Sequence, residues 1–330
     1  MGVEGSPLPP VAGRDYPRTW SQFLDWFPDE DACMRYLEQL RWAGGFVCPC
    51  CGEERDPYRT TRSRWMCRGC RHQCTVTAET VFEKTRTPLR SWFAAVWYAT
   101  NQKHGVSALG LQRVLGLSSY QTAWAMLHRL RRAMVRPGRE RLGGAVEVDE
   151  TYVGGIGRVA PGRGSDAAVR RWRNNTAKAV VAIAVEVHEL KGFGRVRLRR
   201  VPRAAEQSLM PFVCEVVEPG AEVRTDGSPV YRSLPEHGYT HHRTVASSSD
   251  SPAHVSMPGV HRVASLLKRW LLGTHQGAVQ SQQLDYYLDE FTFRFNRRTS
   301  RSRGLLFYRL LEGAVVTSPV TYHNIVATKR

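Results

Sequence analysis

The spacing of apolar positions divides the chain into segments of different period. From Tyr16 to Trp42, through FLDWFPDEDACMRYLEQLRW, apolar residues recur at three- and four-residue steps, as on a helix with one buried face. Asp29 or Asp31 is placed to cap a helix carrying Cys33, Tyr36, Leu37 and Leu40 on its buried side. Residues 46–75 break this period with short, Cys-rich, turn-rich stretches. Residues 88–135 resume it and predict three helices: SWFAAVWYATNQKHG ending at Gly105, SALGLQRVLG ending at Gly116, and YQTAWAMLHRLRRAM. Pro137 and Gly138 then read as a linker.

From Gly144 the period becomes two. AVEVDETYV alternates, KAVVAIAVEV is an apolar run suited to a buried strand, and GRVRLRRV alternates apolar with basic residues as a half-exposed strand does. A helix is predicted around AAEQSLMPFVCEVV, followed by a strand at AEVRTD. Residues 228–257 read as irregular, and two helices follow, GVHRVASLLKRWLLG and QQLDYYLDEFTFRFNRR. Strands first, then strand and helix in alternation, argue for an α/β layered domain. Between Gly154 and Asn175 an Arg-rich, Gly-containing insertion has no period and reads as a loop that orders on DNA, with Arg170 and Arg171 as contacts.

Composition adds a partner. Lys and Arg total 47 against 30 Asp and Glu, a formal charge of +17 over 330 residues, and most of the excess is Arg, whose planar donor fork suits phosphate. Such a chain is expected to bind nucleic acid. No apolar stretch approaches the roughly 18 residues of a membrane helix. The N-terminus lacks the basic-then-apolar pattern of a signal peptide, which points to a cytoplasmic setting.

Six of the eight cysteines fall between Cys48 and Cys74. Two Cys-x-x-Cys knuckles, Cys48/Cys51 and Cys67/Cys70, offer four soft ligands for a closed, structural zinc site. Cys50 and Cys74 remain as alternative members of the set. Arg55, Arg59, Arg62, Arg64, Arg68 and Arg71 surround the knuckles and suit backbone phosphate. The segment LQRVLGLSSYQTAWAMLHRLRRAM has the outline of a helix-turn-helix, with Gln121, Thr122, His128, Arg129 and Arg132 on the expected exposed face of its second helix.

The candidate chemistry lies further on. Asp149 stands in a strand between apolar neighbours, a costly place for a carboxylate, and Asp226 ends a strand just before a Gly turn. Two carboxylates at neighbouring strand ends can share two divalent cations, which serve an in-line phosphoryl displacement. His261 and Lys268 are two helical turns apart on one face, so His261 is a candidate third ligand and Lys268 a candidate phosphate contact. An imidazole in the set suits Mn²⁺ better than Mg²⁺. Arg294, Arg297 and Arg298 are further candidate phosphate contacts.

These stretches, taken as FVCPCCG, CRGC, TAETVFEKTRTPLRSWF, VEVDETYVGG, RTDGSPVY, VHRVASLLKRWLLGTHQG and YLDEFTFRFNRR, resemble the DDE-type transposases of bacterial insertion sequences that carry an N-terminal zinc ribbon, the ISXO-like group. The resemblance runs from about Tyr16 to Arg298. It implies an RNase H-like mixed sheet with flanking helices, two catalytic Mg²⁺ or Mn²⁺ ions, terminal inverted-repeat and target DNA as partners, and cut-and-integrate chemistry. It also implies a homodimer or larger assembly on DNA, in a bacterial cytoplasm and associated with the nucleoid. Asp149 and Asp226 match the family's first two catalytic aspartates and Lys268 its basic residue. Where this chain has His261, many relatives have Glu, some Asn and some branches His; Glu290 and Glu150 stand as alternative donors. The organisation expected is a disordered tail (1–15), an N-terminal helix and zinc ribbon (16–80), a helix-turn-helix-like domain (81–138), an RNase H-like catalytic domain (143–300) and a C-terminal tail (301–330). The contrasting reading is a non-catalytic DNA-binding protein with a degenerate core, and a third is a nuclease without strand transfer.

Overall fold

A computed structural model describes residues 9–60, 64–135, 138–154, 178–188, 192–244, 257–277 and 279–327. Nearly all of the Arg-rich insertion, with Arg170 and Arg171, lies outside them, as does Arg62. Two compact units form: Met1–Arg136 with Thr299–Ile325, and Pro137–Arg298 with Val326–Arg330.

The first unit begins with helices α1 (Trp20–Trp26) and α2 (Glu30–Arg41). A small antiparallel sheet follows, of β1 (Tyr58–Arg59), β2 (Trp65–Met66) and β3 (Gln73–Cys74). Helices α3 (Leu89–Asn101), α4 (Ala108–Leu115) and α5 (Tyr120–Ala133) complete its first run of chain. Thr19, Asp29, Ser107 and Ser119 each begin a helix by accepting a backbone N–H on the side chain. Pro88, before α3, has no such cap; the Glu30 carboxylate supplies it from α2, accepting the N–H groups of Leu89 at 2.7 Å and Arg90 at 3.2 Å. Arg41 reaches the carbonyls of Thr75, Val76 and Ala78, tying the chain after β3 to α2.

The core of this unit is aromatic, with Phe23, Phe27, Tyr36, Phe93 and Trp97 in mutual ring contact. Phe307 completes it, 5.7 Å from Phe23 and 5.8 Å from Phe27. That ring comes from the segment expected as a C-terminal tail. Residues Arg303–Val316 instead form helix α9, with Leu306, Phe307, Leu310 and Leu311 buried against α2, α3 and α5. Its entry is tight: a Cβ on Gly304 would stand 1.9 Å from the Pro17 carbonyl oxygen. A short helix, α10 (Tyr322–Ala327), follows.

The second unit is a five-stranded sheet of β4 (Ala145–Val153), β5 (Ala179–His188), β6 (Gly192–Val201), β7 (Glu222–Asp226) and β8 (Thr240–Thr244), in the order β6-β5-β4-β7-β8. β4, β5 and β6 pair antiparallel; β4, β7 and β8 pair parallel. One face packs on α6 (Glu206–Val216) through Val146, Val148, Val223, Leu209, Phe212 and Val213. The other packs on α7 (Pro258–His275) and α8 (Leu284–Asn296) through Val181, Ile183, Val185, Val263, Leu267 and Phe291. β5 is covered on both faces, which is why its sequence is an unbroken apolar run. A mixed five-stranded sheet covered by helices in this way is RNase H-like.

β8 was expected as irregular chain. Its sequence, THHRT, is polar and half-exposed, as an edge strand can be, and carries no apolar alternation to betray it. Two 3₁₀ turns, Pro229–Tyr231 and Leu234–His237, connect β7 to it.

Candidate active site

β4 and β7 run parallel in the register Ala145↔Glu222, Val146↔Val223, Glu147↔Arg224. The pairing stops there; β7 runs two residues on to end at Asp226, and Asp149 lies near enough on β4 to feel the Asp226 charge. The strand order reverses its connection here, and in open sheets such strand ends hold the ligand. Asp149 is half-buried and accepts the Glu150 N–H at 2.8 Å. Burial, and then the charges of Glu150, Asp226 and Glu147, outweigh that hydrogen bond and push the Asp149 carboxyl up to about 7. Asp226 is exposed and accepts the Ser228 N–H at 3.0 Å, which shapes the turn after β7.

Two further carboxylates on β4 complete this acidic edge. Glu150 points to the α6 side, where the buried Tyr231 hydroxyl donates to it at 2.9 Å. Its pKa is raised by burial, with the Asp226 charge adding to the effect and the Tyr231 hydrogen bond opposing it. Glu147, only 1% exposed, accepts the Val260 N–H at 2.9 Å and is also bonded by the Gly259 N–H. These are free donors of the first turn of α7, so a strand carboxylate caps the helix that carries His261. Gly259 permits the approach: a Cβ there would lie 2.9 Å from Glu147 Oε2. Sequence reasoning passed over Glu147, although its position two residues before Asp149 in an apolar strand was the available signal.

His261 is half-buried in the first turn of α7, next to Val260, and Lys268 is exposed two turns along the same helix. Among the described residues, His261 does not join Asp149 and Asp226 in a cluster close enough to share one ion. Glu290 is buried on α8 and paired with Arg294 at 2.9 Å. Arg297 lies over the Phe293 ring at 4.2 Å and donates to the Phe293 carbonyl. Arg298 lies over Phe295 at 4.1 Å and donates to the carbonyls of Phe193, Gly194 and Phe295. All three arginines expected as phosphate contacts, Arg294 on α8 and Arg297 and Arg298 just after it, thus have partners within the chain.

In the first unit, the Sγ atoms of Cys48, Cys51, Cys67 and Cys70 lie within 4.8 Å of one another. Cys48–Cys70 and Cys51–Cys67 are each 3.6 Å apart. A tetrahedron with Zn–S bonds of about 2.3 Å has edges of about 3.8 Å, so the set fits zinc. The two knuckles are built alike. Gly52 and Arg71, each directly after the second cysteine, both take positive φ, and their N–H groups return to the carbonyls of Cys48 and Cys67. Cys50 is exposed and Cys74 is buried in β3, both outside the cluster.

The α4–turn–α5 segment turns at Gly116, which is left-handed with φ 62°. The expected exposed face of α5 needs one correction. His128 is fully buried, its ring 4.1 Å from that of Trp124 and its Nε2 3.4 Å from Arg131, on the buried side of α5 with Leu127 and Arg131. Arg129 and Arg132 are half-buried on the neighbouring stripe.

A four-cysteine ribbon followed along the chain by an RNase H-like sheet is the domain combination of a DDE-type transposase. Residues 141–296 match the ISXO2-like transposase domain and residues 28–73 the transposase zinc-ribbon domain, together more than half of the sequence. The chain belongs to this family of zinc-ribbon DDE transposases. It is similar, at 29% identity over 280 residues, to an uncharacterized protein in transposable element ISH50 of Halobacterium salinarum, covering 81% of this chain and 91% of that one. That organism is an archaeon, so this relative lends no support to the expected bacterial setting. Among the described residues no helix is long and apolar enough to cross a membrane.

Proposed function

We propose that this chain binds the terminal inverted repeats of its element and carries out divalent-metal-dependent strand cleavage and strand transfer, assembled as a dimer or larger complex on DNA. The observation that carries the reading is the parallel pairing of β4 with β7, which brings Asp149 within range of the Asp226 charge, with the Asp149 carboxyl raised to about 7. A site where carboxylates raise one another's pKa lacks positive charge, and hard divalent cations take such oxygen donors. Two such ions, when bound, neutralise charge on the attacking and leaving oxygens of an in-line displacement.

The chain's own residues have separable parts in this scheme. Asp149 and Asp226 hold the ions. Glu147 fixes the start of α7, and with it His261, the proposed third donor. Lys268 faces solvent from the same helix and holds a DNA phosphate. Arg129 and Arg132 on α5 contribute DNA contacts in the first unit, and the cysteine site holds structural zinc. Glu290, buried and paired with Arg294, is poorly suited to replace His261, since binding an ion there would break an established ion pair.

The test uses an oligonucleotide duplex carrying the element's end. Asp149→Asn and Asp226→Asn should each abolish both nicked and joined products with Mg²⁺ or Mn²⁺, while leaving binding to the duplex intact. A variant that still cleaves would overturn the assignment. Nicks without joined products in the wild-type protein would favour a nuclease.

A further inference from the structure

The strand that ends at Asp226 is held differently on its two sides. Toward β8, β7 is paired along its whole length, up to Asp226↔Thr244. Toward β4 the ladder stops at Glu147↔Arg224, two residues short of Asp226. Backbone pairing therefore fixes Asp226 to β8 and leaves its distance from Asp149 unset.

Other hydrogen bonds cross that gap. The Asp226 carboxylate accepts the Ser228 N–H at 3.0 Å, and the Ser228 carbonyl accepts the Tyr231 N–H at 3.4 Å. The Tyr231 hydroxyl donates to Glu150 Oε2 at 2.9 Å, and the Glu150 N–H donates to the Asp149 carboxylate at 2.8 Å. A continuous path thus leads from one aspartate carboxylate to the other through Ser228, Tyr231 and Glu150. Tyr231 is its fixed point, fully buried in the core on the α6 side with Val146, Val148 and Val223. Burial, then the charge and hydrogen bond of Glu150, then the charges of Asp149 and Asp226, raise the Tyr231 pKa, so the phenol keeps its proton to donate. Glu150 is not placed to share an ion with Asp149. Successive residues of a strand point to opposite faces. Glu150 follows Val146 and Val148 on the α6 side, whereas Asp149 shares the face of Glu147, which meets α7.

Ligand groups in such sites work only when supporting hydrogen bonds hold them to within about 0.5 Å. We propose that Glu150 and Tyr231 are positioning residues: their hydrogen bond clasps β4 to the turn after β7 where the ladder has ended, and so holds the Asp149 and Asp226 carboxylates at the spacing that divalent ions need. The inference rests on the reading of those two aspartates as ion ligands, and it gives Glu150 a part other than that of a metal donor.

The full-length, zinc-loaded protein should be titrated with Mn²⁺, the free ion being read by electron paramagnetic resonance, with thermal melts to confirm folding. The variants are Tyr231→Phe, which keeps the buried ring and removes the hydroxyl, Glu150→Ala, which removes the acceptor, and Glu150→Gln, which keeps an acceptor oxygen. Tyr231→Phe and Glu150→Ala should each weaken Mn²⁺ binding about tenfold or more. The double variant Tyr231→Phe/Glu150→Ala should lose hardly more than either single one, since both break the same bond. Glu150→Gln should recover most of the affinity. In cleavage, Tyr231→Phe should need more Mn²⁺ for its half-maximal rate while binding the end duplex as the wild type does. A Tyr231→Phe protein with wild-type Mn²⁺ affinity, or additive losses in the double variant, overturns the proposal. So does a Glu150→Gln as damaging as Glu150→Ala, which would make Glu150 a ligand. Asp149→Asn run in parallel separates the two readings. Its loss of Mn²⁺ beside an unaffected Tyr231→Phe sinks the clasp alone; wild-type affinity in Asp149→Asn sinks the ion assignment on which the clasp stands.

Discussion

The carboxylate of Glu147 on β4 accepts the backbone N–H of Val260 on α7 at 2.9 Å, joining the strand of Asp149 to the helix of His261. Removing that acceptor orphans donors in a buried place. Glu147→Ala should therefore cost about 1–3 kcal/mol in urea unfolding and reduce cleavage sharply. Glu147→Gln keeps one acceptor oxygen and should recover most of the stability. Equal loss in both variants would show that charge, not the cap, is what the site requires.

Asp149 makes stability depend on pH and on metal. Its folded pKa, about 7, stands above the roughly 3.9 of an unfolded aspartate. The folded state then holds the proton more tightly, so this residue's contribution is full below about pH 4 and is lost as pH rises through about 7. In metal-free protein Asp149→Asn should gain stability over the wild type, more at pH 8 than at pH 5. Adding Mg²⁺ at pH 8 should raise the wild-type melting temperature and leave that of the variant nearly unchanged. Parallel pH curves for the two proteins would contradict this.

Zinc removal should act locally and strongly. Isolated zinc peptides gain on the order of 10 kcal/mol from the metal. Chelation, or Cys51→Ser, should release one zinc per chain by elemental analysis. Hydrogen exchange should then show the amides of Gly52 and Arg71, which close the two knuckle turns, losing protection. Retained protection without metal would mean that the ribbon folds on its hydrophobic contacts alone.

The C-terminal helix is structural. Phe307 is fully buried among the rings of Phe23, Phe27 and Phe93. Phe307→Ala should cost about 3–5 kcal/mol, and Gly304→Ala should also destabilise because its Cβ meets the Pro17 carbonyl. Arg309→Ala, on the exposed side of the same helix, should change stability by less than about 1 kcal/mol. Calorimetric melts of the three variants check the order.

Local sequence determined most of the secondary structure here, because periodicity and capping are properties of near neighbours. The helix starts at Asp29, Ser107 and Ser119, the apolar run of β5, and the paired knuckles around Cys51 and Cys70 all follow from residues a few positions apart. Asp149 within β4 and Asp226 at the end of β7 were legible as chemistry for the same reason: a carboxylate in an apolar strand calls for an explanation. Tertiary structure alone decided the rest. That Asp149 comes within range of the Asp226 charge follows from the parallel pairing of β4 and β7, segments far apart in the chain. That Glu147 caps α7, that Glu30 caps α3, and that Phe307 fills the core of the first unit are contacts between distant segments, where no sequence period records the partner. The polar strand β8 shows the same limit, since hydrogen bonds to β7 define it and its side chains, facing solvent, need follow no pattern.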